Sequence, residues 1–143
     1  MPQPFTTSRG VEFSDTDAAG IAHFSAYFFF MEQAEHELLR KLGLSVMSRD
    51  AESKISWPRV SVKCDFSSAA RFEDQVQIAV KILRIGQKSV TYGFEFSCDG
   101  RTLGTGETTA VCCRIIPEQL PRSIPIPANM LAKLQEYQQS LLT

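Results

Sequence analysis

The segment Val11-Glu12-Phe13-Ser14-Asp15-Thr16-Asp17-Ala18-Ala19-Gly20-Ile21-Ala22-His23-Phe24-Ser25-Ala26-Tyr27, continuing into Phe28-Phe29-Phe30-Met31-Glu32, decides how the chain is read. It opens as the end of a strand, turns through a short polar loop and becomes a long apolar helix. The loop carries two carboxylates, a glycine able to take positive φ, and a histidine. It delivers them to a helix N-terminus, whose free N–H groups and positive dipole end attract negative charge and can polarise a carbonyl oxygen. A carboxylate beside such an end is a candidate active site. An acidic turn that merely caps a core helix is the alternative, and the local pattern leaves the two even.

From Ser25 onward the apolar residues follow a helical period. Tyr27, Phe30, Met31, Ala34, Leu38 and Leu42 recur at three- and four-residue steps, while Glu32, Glu35, Glu37, Arg40 and Lys41 fall mostly off that stripe. Ser25 is the expected N-cap and Gly43 the expected stop. Phe28 and Phe29 widen the apolar surface, so this helix is expected to be surrounded on several sides.

Residues 5–13 read as a strand leading into the acidic loop, and residues 44–56 as an irregular connection. Four period-two segments follow. Val60, Val62, Cys64 and Phe66 share one face; Val76, Ile78, Val80 and Ile82 a second; Val90, Tyr92, Phe94, Phe96 and Cys98 a third; Leu103, Thr105, Glu107, Thr109, Val111, Cys113 and Ile115 a fourth. Asp99-Gly100 and Ile85-Gly86-Gln87-Lys88 are hairpin signals, so neighbouring strands are expected to pair antiparallel in one sheet. Residues 116–127 are a proline-punctuated linker, and residues 128–142 a weakly amphipathic helix on the surface. The order strand, helix, four strands and terminal helix is α+β, in one domain spanning residues 1–143.

With 43% hydrophobic and 22% charged residues among 143, the chain suits a single soluble core. Its longest apolar patch, residues 26–31, is too short for a membrane span. The start, Met1-Pro2-Gln3-Pro4, has no leader pattern, so a cytoplasmic protein without membrane partners is expected. A formal net charge of −1 gives no global attraction for nucleic acid. Cys64, Cys98, Cys112 and Cys113 fall in strand-like stretches without metal spacing, and with two histidines no metal or cofactor is expected.

The run from Asp15 to Tyr27 resembles the D-x-D-x-x-G-[IV]-x-[HYFW]-x-x-x-Y signature of the hotdog-fold acyl-CoA thioesterases, in their 4-hydroxybenzoyl-CoA thioesterase-like family. The aromatic helix with Glu32, the Pro58 segment and the closing run Leu120-Pro121-Arg122-Ser123-Ile124-Pro125-Ile126-Pro127 are similar too. The resemblance implies a five-stranded antiparallel sheet wrapped around a long central helix, with a C-terminal helix. It also implies a homodimer or homotetramer joined at sheet edges, with an acyl-CoA substrate bound at the subunit interface. An unpaired sheet edge independently favours a two-fold partner.

By the same resemblance Asp17 attacks the thioester carbonyl or acts as general base to water, the two routes being equally open. The backbone N–H of Phe24 faces the thioester oxygen, and Gly20 permits the turn between them. His23 either assists proton transfer or positions the substrate; Asp15 braces the turn and His36 is structural. Tyr27 reads as core or substrate contact, and Glu32 as an acid facing a ring hydroxyl or an exposed helix residue. Trp57 reads as a wall of the acyl pocket or ordinary packing. For the CoA phosphates Arg84 and Lys88 are the first choice and Arg59 the next, among Lys63, Arg71, Lys81 and Arg122. The other classes weighed are a non-hydrolytic acyl-CoA-binding hotdog protein, a thioesterase acting on acyl carrier protein, and a hydratase.

Overall fold

The computed structural model describes residues 3–142; Met1 and Pro2, part of the N-terminal stretch read above, and Thr143 lie outside it. Strand β1 (Phe5–Gly10) is followed by a single 3-10 turn at Phe13–Asp15 and by helix α1 (Phe24–Lys41). Two short strands, β2 (Ser48–Arg49) and β3 (Lys54–Ser56), lead to the long strands β4 (Arg59–Phe66), β5 (Gln75–Ile85), β6 (Ser89–Cys98) and β7 (Arg101–Val111). Short strands β8 (Cys113–Ile115) and β9 (Arg122–Ser123) precede helix α2 (Ala128–Ser140). The chain is therefore α+β, with antiparallel pairing throughout.

The main sheet has the order β1-β5-β6-β7-β4, and a second sheet has the order β2-β3-β8-β9. The second sheet corrects the sequence reading in three places. The connection at residues 44–56 holds β2 and β3, the proline-rich linker holds β9, and the fourth long strand breaks at Cys112, so that its tail joins the second sheet as β8. Two- and three-residue strands are too short to display a period, which is why the pattern missed them. β1 also stops at Gly10, short of Phe13.

Val76, Ile78, Val80 and Ile82 of β5 and Val90, Tyr92, Phe94, Phe96 and Cys98 of β6 are buried against Tyr27, Phe30, Met31, Ala34 and Leu38 of α1, as their alternation requires. β7 presents the face opposite to the expected one. Gly104, Gly106, Thr108 and Ala110 are buried, because Leu103 is an extra residue between the pairs Ser97–Thr102 and Phe96–Gly104. One inserted residue reverses the alternation for the rest of the strand. The small side chains make room for the helix: a Cβ on Gly106 would collide with Sδ of Met31.

β4 carries a second such insertion. Arg59 pairs with Ala110, Ser61 with Thr109 and Val62 with Thr108, so Val60 is the extra residue. Arg59 thereby takes the helix-facing position that strict alternation assigns to Val60. Val60, Val62 and Phe66 are exposed on this edge strand, although the pattern marks them as a buried face.

α1 closes in a Schellman arrangement, with Gly43 at φ +79°, its N–H bonded to the carbonyl of Arg40, and the Leu44 N–H bonded to that of Leu39. At the other end its N-cap is His23, which corrects the expectation of Ser25. α2 is more than a surface element: Met130 and Leu134 are buried, and the Tyr137 hydroxyl accepts from the Phe5 N–H and donates to the Val80 carbonyl. It pins β1 and β5 together.

The close approaches at β7 predict unequal costs for two substitutions. A Cβ on Gly104 meets the backbone carbonyl oxygen of Asp65, whereas one on Gly106 meets a flexible methionine. Gly104→Ala is expected to lower unfolding free energy by about 2 kcal/mol and Gly106→Ala by clearly less. Urea denaturation of the two variants beside the wild type measures the difference.

Candidate active site

Residues 15–23 fold back on themselves before α1 begins. The Asp15 carboxylate accepts the Glu12 N–H at 2.9 Å, and the Asp15 carbonyl accepts the His23 N–H at 2.7 Å. Asp17 forms a tight turn: its carbonyl accepts the Gly20 N–H, its N–H donates to the Ile21 carbonyl, and its carboxylate Oδ1 accepts the Ala19 N–H at 2.8 Å. Gly20 sits at φ +78°, a conformation that a Cβ would strain. The loop is tied to the sheet by the Ala22 N–H bonded to the Ala70 carbonyl and by a bridge between Ile21 and Arg71. Asp15 is thus the brace and Asp17 the carboxylate it presents, with Oδ2 making no hydrogen bond among the described residues.

His23 ends the loop by capping the helix. Its Nδ1 accepts the Ser25 N–H at 3.2 Å and lies 2.8 Å from the Ser25 hydroxyl, while its carbonyl accepts the Ala26 N–H. The ring stacks on Phe24 with 4.4 Å between centroids. The N–H of Phe24 has no partner among the described residues, and its side chain is 61% exposed. A helix N-terminus with a free N–H is a ready donor to a developing oxyanion.

Asp17 and Phe24 line one open hollow of about 310 Å³, together with Ile21, Ala22, Tyr27, Phe66, Ser68 and Ala69. Tyr27 is buried edge-on against Phe66 and Phe96, with centroids 4.9 and 5.1 Å away, and it also borders the hollow. Ser68 and Ala69 are held by Arg101, whose Nη1 bonds the Ser68 hydroxyl and donates to the Ala69 carbonyl at 2.7 Å.

Other expected residues are placed elsewhere. Trp57 is buried in the core and walls neither this hollow nor the one described next. Arg84 and Lys88 flank the β5–β6 turn, at the end of β5 remote from the Ile21–Arg71 bridge, roughly 30 Å along the strand. They cannot join the Asp17 hollow within one chain. The nearby cations are Arg71 and Arg101. Arg71 was in the wider set of basic residues, and Arg101 was missed because only the folding of β7 across the Ser67-Ser68-Ala69 loop brings it there.

Arg59 lies elsewhere too, engaged with a carboxylate. Its Nη1 lies 2.7 Å from Oε1 of Glu35, and the pair forms the floor of a second hollow of about 200 Å³ with Phe28, Phe29, Glu32, Val62 and Thr108. Glu35 is 1% exposed. Burial pushes its carboxyl up to about 7, with the Arg59 guanidinium pulling the other way and Glu32 adding to the rise. Glu32 stays exposed beside the hollow, and His36, one turn from Glu32, keeps its Nε2 buried without a partner among the described residues.

Comparison with known proteins gives this geometry its class. A solved gentisyl-coenzyme A thioesterase superposes with a TM-score of 0.80 and 29% identity, covering 91% of this chain and 99% of its own. The 1,4-dihydroxy-2-naphthoyl-CoA thioesterase of Synechocystis, at 22% identity, shares the fold with a TM-score of 0.81 over 92% of this chain and 96% of its own. Acyl-CoA thioesterase YbgC of Haemophilus influenzae is 26% identical over 116 residues, which is 80% of this chain and 84% of that protein. Such likenesses put the chain among the hotdog-fold enzymes that hydrolyse thioesters. It belongs to the thioesterase-like superfamily, whose sequence profile matches residues 11–134. No helix of the described residues is long and apolar enough to cross a membrane.

The elevated Glu35 carboxyl carries a sign for stability. Between about pH 4.5 and 7 the folded chain keeps a proton on Glu35 that the unfolded chain has released, so stability falls as pH rises through that window and levels off above it. Glu35→Gln is expected to remove this slope, so the wild type loses about 2–3 kcal/mol more than the variant on going from acid to mildly alkaline buffer. Paired urea melts at the two ends of the window give the comparison.

Proposed function

We propose that the chain hydrolyses an acyl-CoA thioester to a carboxylic acid and free CoA, with Asp17 delivering the attack and the α1 N-terminus holding the oxyanion. The observation that carries this reading is one hollow lined by both a carboxylate with one oxygen unengaged among the described residues and Phe24, whose N–H finds no partner among them. As the carbonyl carbon is attacked, charge moves to its oxygen, and the Phe24 N–H with the helix dipole stabilises it. Collapse breaks the C–S bond and releases the CoA thiolate. Asp17 acts either as nucleophile, through a mixed anhydride that water then cleaves, or as general base to the attacking water. His23 orients the helix end through its cap, and Gly20 sets the turn.

An aromatic acyl group is favoured by the rings of Tyr27, Phe66 and Phe24 around the hollow, and the aryl substrates named for the gentisyl and dihydroxynaphthoyl relatives support the same reading. Arg71 and Arg101 are the cations best placed to meet CoA phosphates beside the loop. The exposed edge of β4, with Val60, Val62 and Phe66 uncovered on it, supports a homodimer or a dimer of dimers.

Thiol release from a panel of aryl- and straight-chain acyl-CoAs tests the reading. Asp17→Asn is expected to lower kcat by about 100-fold or more while the protein stays folded. Phe24→Ala is expected to keep kcat within about tenfold, because the backbone N–H is retained. Cleavage that survives Asp17→Asn refutes the assignment, and wild type that binds acyl-CoA without cleaving it is an acyl-CoA-binding protein.

A further inference from the structure

The loop between β4 and β5 carries two adjacent serines whose hydroxyls are engaged differently. The N–H groups of Ser67 and Ser68 both donate to the Leu103 carbonyl, at 2.8 and 3.2 Å. The Ser67 hydroxyl donates to the Thr102 carbonyl at 3.3 Å, whereas Ser68 lines the hollow with Asp17 and Phe24. Arg101 Nη1 bonds the Ser68 hydroxyl and, with its other hydrogen, the Ala69 carbonyl at 2.7 Å. A guanidinium has donors and no acceptor, so in this bond the Ser68 oxygen can only accept. Its own proton is therefore directed elsewhere, and no group among the described residues, Asp17 included, takes it.

The pairing of the two segments that frame the hollow says what that proton faces. Ile21 bridges Arg71, and the Ala22 N–H bonds the Ala70 carbonyl at 2.8 Å. In an antiparallel pair each step forward on one segment is a step back on the other. Carried two residues on, the register brings Ser68 level with Phe24, the residue whose N–H has no partner among the described residues. Two unengaged donors, an amide and a hydroxyl, thus border one space from opposite walls. An arginine pulling on the hydroxyl oxygen also strengthens the bond that the hydroxyl donates.

We propose that Ser68 is a second donor to the thioester carbonyl oxygen, forming with the Phe24 N–H the hole that holds the oxyanion, and that Arg101 is the residue that positions it. The assignment rests on the thioesterase reading above and adds a catalytic residue to it. As the carbonyl carbon is attacked, its π electron pair moves to the oxygen, and the Ser68 O–H and Phe24 N–H bond that charge without transferring a proton. On collapse the pair returns to carbon, and the C–S bond breaks with its electrons leaving on sulfur. Among the described residues Arg101 uses only Nη1 in hydrogen bonds, so Nε and Nη2 are left for a phosphate of CoA.

Two measurements test the assignment. The first is thiol release from N-acetylcysteamine thioesters, which have no phosphate for Arg101 to meet. Ser68→Ala is expected to lower kcat by about 100-fold with KM little changed. Arg101→Gln is expected to lower kcat by about tenfold, and to cause no further loss in a chain that already carries Ser68→Ala. The second is the infrared carbonyl band of a bound ketone analogue of the acyl-CoA, carrying CH₂ in place of sulfur and a ¹³C-labelled carbonyl. The analogue carries the acyl group that is cleaved fastest, or benzoyl where none is cleaved. A hydrogen bond to the oxygen weakens the C=O bond, so the band is expected at higher frequency in Ser68→Ala than in the wild type.

A Ser68→Ala chain with wild-type kcat and an unmoved carbonyl band overturns the proposal while the thioesterase reading stands. A lower kcat with an unmoved band and an acid limb of the pH profile shifted upward also overturns it, because the hydroxyl then serves the Asp17 carboxylate instead. Losses that add in the double variant overturn the role of Arg101. If no thioester is cleaved, the function proposed for Asp17 fails, and the band still decides whether Ser68 donates to a carbonyl oxygen. An analogue that does not bind overturns both.

Discussion

The close approach of α1 to the main sheet is the constraint on which the rest depends. Met31 lies over Gly106, and the neighbouring inward positions of β7 are Gly104, Thr108 and Ala110, none larger than threonine. A helix seated that deeply is buried along Tyr27, Phe30, Met31, Ala34 and Leu38 while Phe24, its first residue, stays exposed. Phe24 is the residue whose N–H has no partner among the described residues. Larger residues on β7 would lift the helix and carry that end away from the Ser68 and Ala69 backbone, which completes the hollow on the other side. Core packing and site geometry are therefore one problem, because interiors are dense enough to transmit displacements of a few tenths of an ångström.

The loop before the helix solves a second problem, holding a charged side chain at a fixed place without burying it. Asp15 spends its carboxylate on the Glu12 N–H, and Asp17 spends one oxygen on the Ala19 N–H. Each backbone donor so engaged removes a way for the loop to rearrange. The two aspartates, two residues apart, consequently have different duties: the first closes the turn, and the second is oriented by it. His23 completes the device, since its ring supplies the cap that a serine or threonine commonly supplies, and the Phe24 N–H is left free.

How much of this was legible in the sequence depended on whether the deciding contact was local. The acidic turn, the helix after it, and the inward faces of β5 and β6 are set by residues within a few positions of one another, and they read correctly. Leu103 and Val60 escape the pattern because each is a one-residue bulge: the first reverses every later position of β7, and the second turns Arg59, just before it, inward, neither changing the apparent alternation. The inversion of β7 went unnoticed because two of its inward residues are glycines, which a search for apolar side chains passes over. Trp57 stays open between pocket wall and ordinary packing because nothing local says which way a residue between two strands faces, and Arg101 is brought to the site only by the hairpin that folds over the Ser68 loop. The burial of α2 was hidden because its inward contribution is two side chains, Met130 and Leu134, and one tyrosine hydroxyl.

The β4 bulge links fold to chemistry most directly. Without the extra residue at Val60, strict alternation would set an apolar valine opposite Glu35, and a carboxyl that is 1% exposed would have no cation. With it, Arg59 turns inward and offsets part of the desolvation cost of Glu35. A buried ion pair is nonetheless a poor way to stabilise a core, because well-packed apolar residues of similar volume commonly do as well or better. The Thr108 hydroxyl, on the neighbouring strand β7, is likewise buried without a hydrogen-bond partner among the described residues, so polar groups here are held at a cost that apolar packing would avoid.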